Sequence, residues 1–410
     1  MPISYQRQMA PDLPGVDQPQ TDIQAVFVAG VIATILGLTW YIWDFTAWQQ
    51  AKTFLMGGLL GYVLFRATFG FTGPWRNLIV SRRGMGTRKT LVMLGAAGIT
   101  MMLLGAYGGY PQVVHPVGWA LIAGAFMFGV GMQLGGCCGS GTAWVAGSGS
   151  ARVAITLVFF ILGSVIGSLH APSWWLVPTF TDRVSMVEAW GVWGAIGATL
   201  AILAAGWALT VALETRRHGS LQGFEAPAAK PLHRVVFGPW PPYLGGALMG
   251  VLAGLVLVVT YQPWGITFGY TVYGAKIATA LGLDLTTITA PFTDNAFWSA
   301  GWTRSVLDSP LWYNNAANMN IGIMLGAALA AGLVGKWRPS LKGVGALSLL
   351  AAAIGGILMG YGARISTGCN IGAMVNGIAS GSLHGWAWMA AAFAGNILGV
   401  WLRPRFSMSN

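Results

Sequence analysis

The sequence predicts an all-α integral membrane protein of about ten transmembrane helices, built as two inverted five-helix repeats with broken, Gly-rich re-entrant elements. Three observations predict it: apolar stretches of bilayer-crossing length, basic residues gathered between those stretches, and two short motifs that occur once in each half.

Of the 410 residues, 55% are hydrophobic and only 8% are charged. Apolar runs fall at 25–45, 54–72, 90–110, 117–135, 153–171, 191–213, 243–261, 320–334, 344–362 and 383–402. All but the shorter 320–334 are close to the roughly 20 residues that cross a hydrocarbon core of about 30 Å. The first 23 residues hold Pro2, Pro11, Pro14 and Pro19 with Asp12, Asp17 and Asp22. They lack the basic start and short apolar centre of a cleavable signal peptide, so the first span is expected to be retained. Tryptophans such as Trp174, Trp175, Trp298, Trp302 and Trp312 fall around expected interfaces, where an amphipathic ring is favoured.

A net charge of +11 would suit a nucleic-acid partner, but the basic residues cluster between spans, where membrane topology requires them. The clusters are Arg76, Arg82, Arg83, Arg88 and Lys89; Arg216, Arg217, Lys230 and Arg234; Lys336, Arg338 and Lys342; and Arg403 and Arg405. Placing all of them in the cytoplasm puts both termini there and leaves the acidic loops at 182–188 and 284–308 outside. That describes a multi-pass protein of a bacterial inner (plasma) membrane, with the lipid bilayer as its surroundings and no nucleic-acid partner. The expected divisions are a cytoplasmic tail over 1–23, a first repeat over 24–190, a second over 191–402 with a cytoplasmic linker at 214–239, and a tail over 403–410. Pro227 and Pro231 mark the linker.

Ala67-Thr68-Phe69-Gly70-Phe71-Thr72 returns as Ile266-Thr267-Phe268-Gly269-Tyr270-Thr271. Gly129-x-Gly131 followed by Cys138-x-x-Gly141 returns as Gly360-x-Gly362 followed by Cys369-x-x-Gly372. The same order in each half argues for duplication of a five-span unit, and an odd number of spans inverts the second copy. Inverted repeats with Gly-rich interruptions in matching places point to a transporter with its site near the midplane.

Arg66 lies inside the second expected span and Arg364 just before the second cysteine loop, while Lys276 follows the second Thr-Phe-Gly element toward the outer surface. Charges at membrane depth cost at least about 2.5–3.5 kcal/mol and face a cavity, a partner or an ion path. Cations without deeply embedded carboxylates favour an anion; snorkelling or bonding to carbonyls of broken helices is the competing reading. Cys138 and Cys369 each stand in a Gly-rich break, where the N-terminus of a following half-helix would attract an anion. A thiol adds a weak donor and a polarizable contact for soft sulfur. Asn370 and Ser140 offer neutral hydrogen bonds beside them. Cys137 has Gly368 as its counterpart and is open to three roles: packing, a second sulfur contact, or a redox partner of Cys138. His384, at the start of the last span, is expected at an interface, and no His/Cys spacing resembles a metal site. No cofactor is expected.

Three segments resemble the YeeE/YedE family of membrane permeases: Phe65-Arg66-Ala67-Thr68-Phe69-Gly70-Phe71, Gly135-Gly136-Cys137-Cys138-Gly139-Ser140-Gly141, and Gly362-Ala363-Arg364-Ile365-Ser366-Thr367-Gly368-Cys369-Asn370-Ile371-Gly372. The resemblance runs from about Gly57 to Leu402. It implies uptake of thiosulfate or a related small sulfur-containing anion through an hourglass-shaped protein, the ion passing between central cysteines. Cys138 and Cys369 match the family's Cys-x-x-Gly cysteines, whereas Gly70 stands where the family carries a further cysteine. The candidate substrate contacts are then Cys138, Cys369, Cys137, Arg66, Arg364, Gly70, Gly269 and Asn370, with a cytoplasmic sulfur-carrier protein as a possible recipient. Two alternatives stand beside this: a membrane sulfur-transfer enzyme using a Cys137/Cys138 persulfide or disulfide, and a permease for selenium species.

Overall fold

A computed structural model describes residues 23–224, 236–288 and 295–410. Almost all of the expected N-terminal tail lies outside these residues, as do Lys230, Arg234, Pro227 and Pro231 of the linker.

The helices, in chain order, are α1 (Ala25–Phe45), α2 (Trp48–Arg66), the short α3 (Thr72–Ser81), α4 (Met85–Gly108), α5 (Trp119–Gly135), the short α6 (Gly139–Gly147), α7 (Ala151–Trp175) and α8 (Met186–His218). There follow α9 (Pro242–Thr260), α10 (Thr267–Ala280), α11 (Ala296–Ser299), α12 (Gly301–Asp308), α13 (Asn315–Leu333) and α14 (Ala346–Ile365). A π-helical turn, Asn370–Val375, runs into α15 (Asn376–Ala379), and α16 (Leu383–Leu402) closes the membrane region. Among the described residues there is no strand, only two isolated β-bridges, Gly118 with Thr179 and Ser185 with Ser382.

Nine helical segments among the described residues are long and apolar enough to cross a membrane, with α5–α6 and α14–α15 each counted as one. The protein is therefore a multi-pass helical membrane protein. The remaining expected span, α2, has 19 residues but carries Gln49, Gln50, Lys52 and Arg66. It tolerates them because it is an interior helix: Thr53, Phe54, Gly57, Leu60, Gly61 and Leu64 are all buried. A Cβ at Gly57 would stand 2.2 Å from the Met319 carbonyl oxygen of α13, and one at Gly61 would stand 2.0 Å from that of Ile323. Only glycine permits such an approach.

Packing partners exchange between the halves. α2 lies along α13 as α9 lies along α4, and α5 lies along α16 as α14 lies along α7. α5 and α14, the helices that carry the two Gly-x-Gly segments, pack on each other at the centre.

Several expectations change. The second span ends at Arg66 rather than Thr72, because Thr68 takes a left-handed φ of 43° and the Thr-Phe-Gly element becomes a loop leading into α3. Arg76, Arg88 and Lys89 are not in a solvated loop: α3 and α4 begin before them and bury all three. Arg88 Nη2 pairs with the buried Glu214 Oε2 at 2.7 Å, and Arg83 and the Gly84 amide bond to the same carboxylate. Arg403 is also buried, donating to the Gln133 and Ser409 carbonyls, so the C-terminal residues fold back onto α5. His384 is fully buried rather than interfacial, with its Nδ1 2.7 Å from the Ser382 hydroxyl. Trp298 is buried as well; its indole N–H reaches Ser168 Oγ at 2.9 Å, a bond the interior of a helical bundle can supply as well as water can.

Candidate functional site

Both cysteine loops arise from the same local device. α5 is stopped by Gly136 at φ 88°, and α14 by Thr367 and Gly368 at φ 65° and 147°. Left-handed residues terminate a helix because they turn the chain away from its axis. The next residues reach extended backbone at Cys138 and Cys369, each of which occupies the N-cap of the succeeding helical segment. The Gly141 amide donates to Cys138 Sγ at 3.3 Å. On the other side, the amides of Ile371 and Gly372 face the Cys369 sulfur. Each thiol therefore sits where free N–H groups and the helix dipole favour negative charge.

The two caps meet. A Cβ built on Gly139 would stand 2.8 Å from Cys369 Sγ, so Cys369 lies directly against the residue that follows Cys138. Tyr270 of α10 fixes this junction: its hydroxyl donates to the Gly139 carbonyl at 3.0 Å, and its side chain is within electrostatic reach of all three cysteines. Tyr270 escaped the sequence reading, although the signal was there: it replaces Phe71 of the first element, a polar tip added in one copy.

Cys137 and Cys138 line one cavity, together with Thr68, Gly70, Thr72, Arg76, Ser150 and Arg152. Cys137 Sγ lies 3.3 Å from Thr142 Oγ1. Gly70 faces open space, with nothing within 4 Å of a Cβ added there. Thr72 Oγ1 is buried without a protein partner among the described residues. Arg152 donates to the Gly135 and Leu134 carbonyls and to Ser348, covering the C-terminal end of α5.

The remaining candidates lie apart from that cavity. Arg364 is half-buried on the Cys369 side, donating to Thr271 Oγ1 at 3.4 Å, with its guanidinium over the rings of Phe268 and Phe297. Asn370, next to Cys369, is fully buried, and neither its Nδ2 nor its Oδ1 has a protein partner among the described residues. Gly269 plays a packing part: a Cβ there would overlap Asn320 and the Ala316 backbone. Arg66 turns away, donating to the Phe237 carbonyl at 3.1 Å with its guanidinium over Tyr62. Lys276 donates to the Leu307 and Ser309 carbonyls, at the end of α12. Among the described residues no His, Cys, Asp or Glu group is arranged to hold a metal ion.

Residues 66–398 match the sulphur transport family, a span that contains both cysteine loops and both Thr-Phe-Gly elements. The chain belongs to the sulphur transport family. Among curated members and relatives, the thiosulfate transporter TsuA of Spirochaeta thermophila is 28% identical over 359 residues, 85% of this chain and 96% of that protein. The thiosulfate transporter TsuA of Escherichia coli is 26% identical over 356 residues, 85% of this chain and 91% of that protein. A shorter match, 27% over 172 residues, joins this sulphur transport chain to a protein named "Probable transporter YedE" of Escherichia coli, covering 41% of this chain and 38% of that one.

Proposed function

We propose that the protein is an inner-membrane permease that takes up thiosulfate or a related small sulfur-containing anion, which passes between the Cys138 and Cys369 half-helices. The observation that carries this reading is the contact of Gly139 with Cys369, which sets two helix N-termini, each with a cysteine at its N-cap position, against one another. Opposed N-termini concentrate N–H donors for the oxygens of an anion, and the thiols supply soft contacts for its terminal sulfur. The two relatives named as thiosulfate transporters, each matched over 85% of this chain, support the choice of substrate. The exchange of packing partners between the halves supports two inverted repeats, and the exposed members of the basic clusters, Arg82, Arg216, Arg217, Arg338, Lys342 and Arg405, support cytoplasmic termini. Cys137 lines the same cavity as Gly70 and supplies a thiol there in its place. The Asn370 amide, unpartnered among the described residues, and the Arg364 guanidinium serve the anion on the Cys369 side.

Sulfur transfer is the less favoured reading. Among the described residues the thiol partners are Thr142, Ser140, the Gly135 carbonyl and backbone amides, none of which acts as a base.

Uptake of labelled thiosulfate into proteoliposomes tests the proposal. Unmutated protein should accumulate it, and Cys138→Ala or Cys369→Ala should reduce the initial rate at least tenfold while the detergent-solubilised proteins keep their melting temperature. Undiminished uptake by the double Cys138→Ala, Cys369→Ala variant would refute the thiol role.

A further inference from the structure

The two Thr-Phe-Gly-aromatic-Thr elements are each held at both ends, and the holders form matched pairs. At the start of the first element the Ala67 carbonyl accepts from Lys89 Nζ at 3.2 Å; at the start of the second, the equivalent Ile266 carbonyl accepts from Asn320 Nδ2 at 2.8 Å. At the far end Gln133 Nε2 donates to the Thr72 carbonyl at 3.1 Å, while Arg364 Nη1 donates to the Thr271 hydroxyl at 3.4 Å. Gln133 and Arg364 are themselves equivalent, each preceding its cysteine by the same interval. Each element is thus held by one cation and one carboxamide, in exchanged positions.

The pair at the start separates two roles that a lysine ordinarily combines. Asn320 bonds its carbonyl with a neutral amide, so the clamp itself requires only a donor. Lys89 is completely buried, and no carboxylate pairs with it among the described residues. A buried charge without a carboxylate partner is costly, and in membrane proteins such groups mark ion paths. Its second bond, to the Thr68 carbonyl at 3.0 Å, sets the ammonium against the backbone of a residue that lines the Cys138 cavity, and the centroid of the Phe69 ring lies 5.1 Å from it.

We infer that Lys89 is a specificity-determining residue of the permease: its charge, felt through the wall without contact, raises the affinity of the Cys138 cavity for a divalent anion. The inference rests on the proposed transport of a sulfur oxyanion. In a low-dielectric surrounding a unit charge one wall away acts with little screening, and its effect doubles for a doubly charged ion. Arg364 plays the matching part beside Cys369, where the first half has Gln133.

The test compares Lys89→Gln, which keeps a donor and removes the charge, with Lys89→Arg, which keeps both. Labelled thiosulfate uptake is measured in proteoliposomes over a range of concentrations, with melting temperatures in detergent. Lys89→Gln should raise KM at least tenfold with Vmax within about twofold of the unmutated protein, and Lys89→Arg should restore KM to within about threefold. An unchanged KM in Lys89→Gln, or a loss confined to Vmax, overturns the inference. So does a protein that folds with Arg but with neither Gln nor Asn at position 89, because the charge would then be structural. Failure of the unmutated protein to accumulate thiosulfate would strike the transport reading itself, a result distinguishable from all of these.

Discussion

The Tyr270 hydroxyl donates to the Gly139 carbonyl at 3.0 Å, joining the α10 element to the first residue of α6 across the contact between the two cysteine caps. Because Phe71 fills the matching place in the other half, Tyr270→Phe should fit without steric change. It removes one buried hydrogen bond to a carbonyl that also accepts within α6, a net cost of about 0.5–1.5 kcal/mol. The expected outcome is a lowered melting temperature and a several-fold slower thiosulfate uptake, read in proteoliposomes. Uptake at the unmutated rate would show that this bond does not hold the junction.

Gly139 should not accept a side chain. Its added Cβ would stand 2.8 Å from Cys369 Sγ and 2.9 Å from Cys369 Cβ. Overpacking at a tight contact costs about 1–3 kcal/mol, and here the strain falls on the contact between the two cysteine loops. Gly139→Ala is expected to abolish uptake while still yielding membrane-inserted protein. Normal transport by this variant would mean that the caps separate during the cycle more than this arrangement allows.

Gly70 should behave in the opposite way. Nothing lies within 4 Å of a Cβ at that position, and the cavity it lines already holds Cys137 and Cys138. Gly70→Cys is expected to alter stability by less than about 0.5 kcal/mol, the range of substitutions that meet no packing feature. Intact mass after treatment with a small methanethiosulfonate should show one more adduct than the parent. An unreactive thiol at position 70 would place that side chain outside the cavity.

Glu214 anchors the end of α8 to the start of α4. Its carboxylate is fully buried and receives Arg88, Arg83, and the amides of Gly84 and Gln222. Removing one partner of a buried ion pair strands the other, at a cost of about 3–5 kcal/mol. Glu214→Ala should therefore lower the melting temperature in detergent by many degrees, whereas Arg304→Ala, which breaks an exposed pair with Asp308, should change it little.

The amino-acid sequence determined the fold class and the places where the helices break. Apolar length set the spans, because each stretch must satisfy its own backbone inside lipid. The repeated Cys-x-x-Gly motifs marked the breaks, because a left-handed glycine or its neighbour must end α5 and α14 before each cysteine can cap the next helical segment. Tertiary structure decided where the charged residues lie and what they bond. Arg66 and Arg364 looked alike along the chain, yet one faces the Phe237 backbone and the other Thr271 beside the cysteine cap. Lys89 and Arg88 looked like members of a loop cluster, and became respectively a buried clamp on the Thr68 carbonyl and half of a buried ion pair. The pairing of Lys89 with Asn320, and of Gln133 with Arg364, was likewise beyond the sequence. Hydropathy and spacing are properties of neighbouring residues, whereas a hydrogen bond between segments far apart in the chain exists only after the helices have packed.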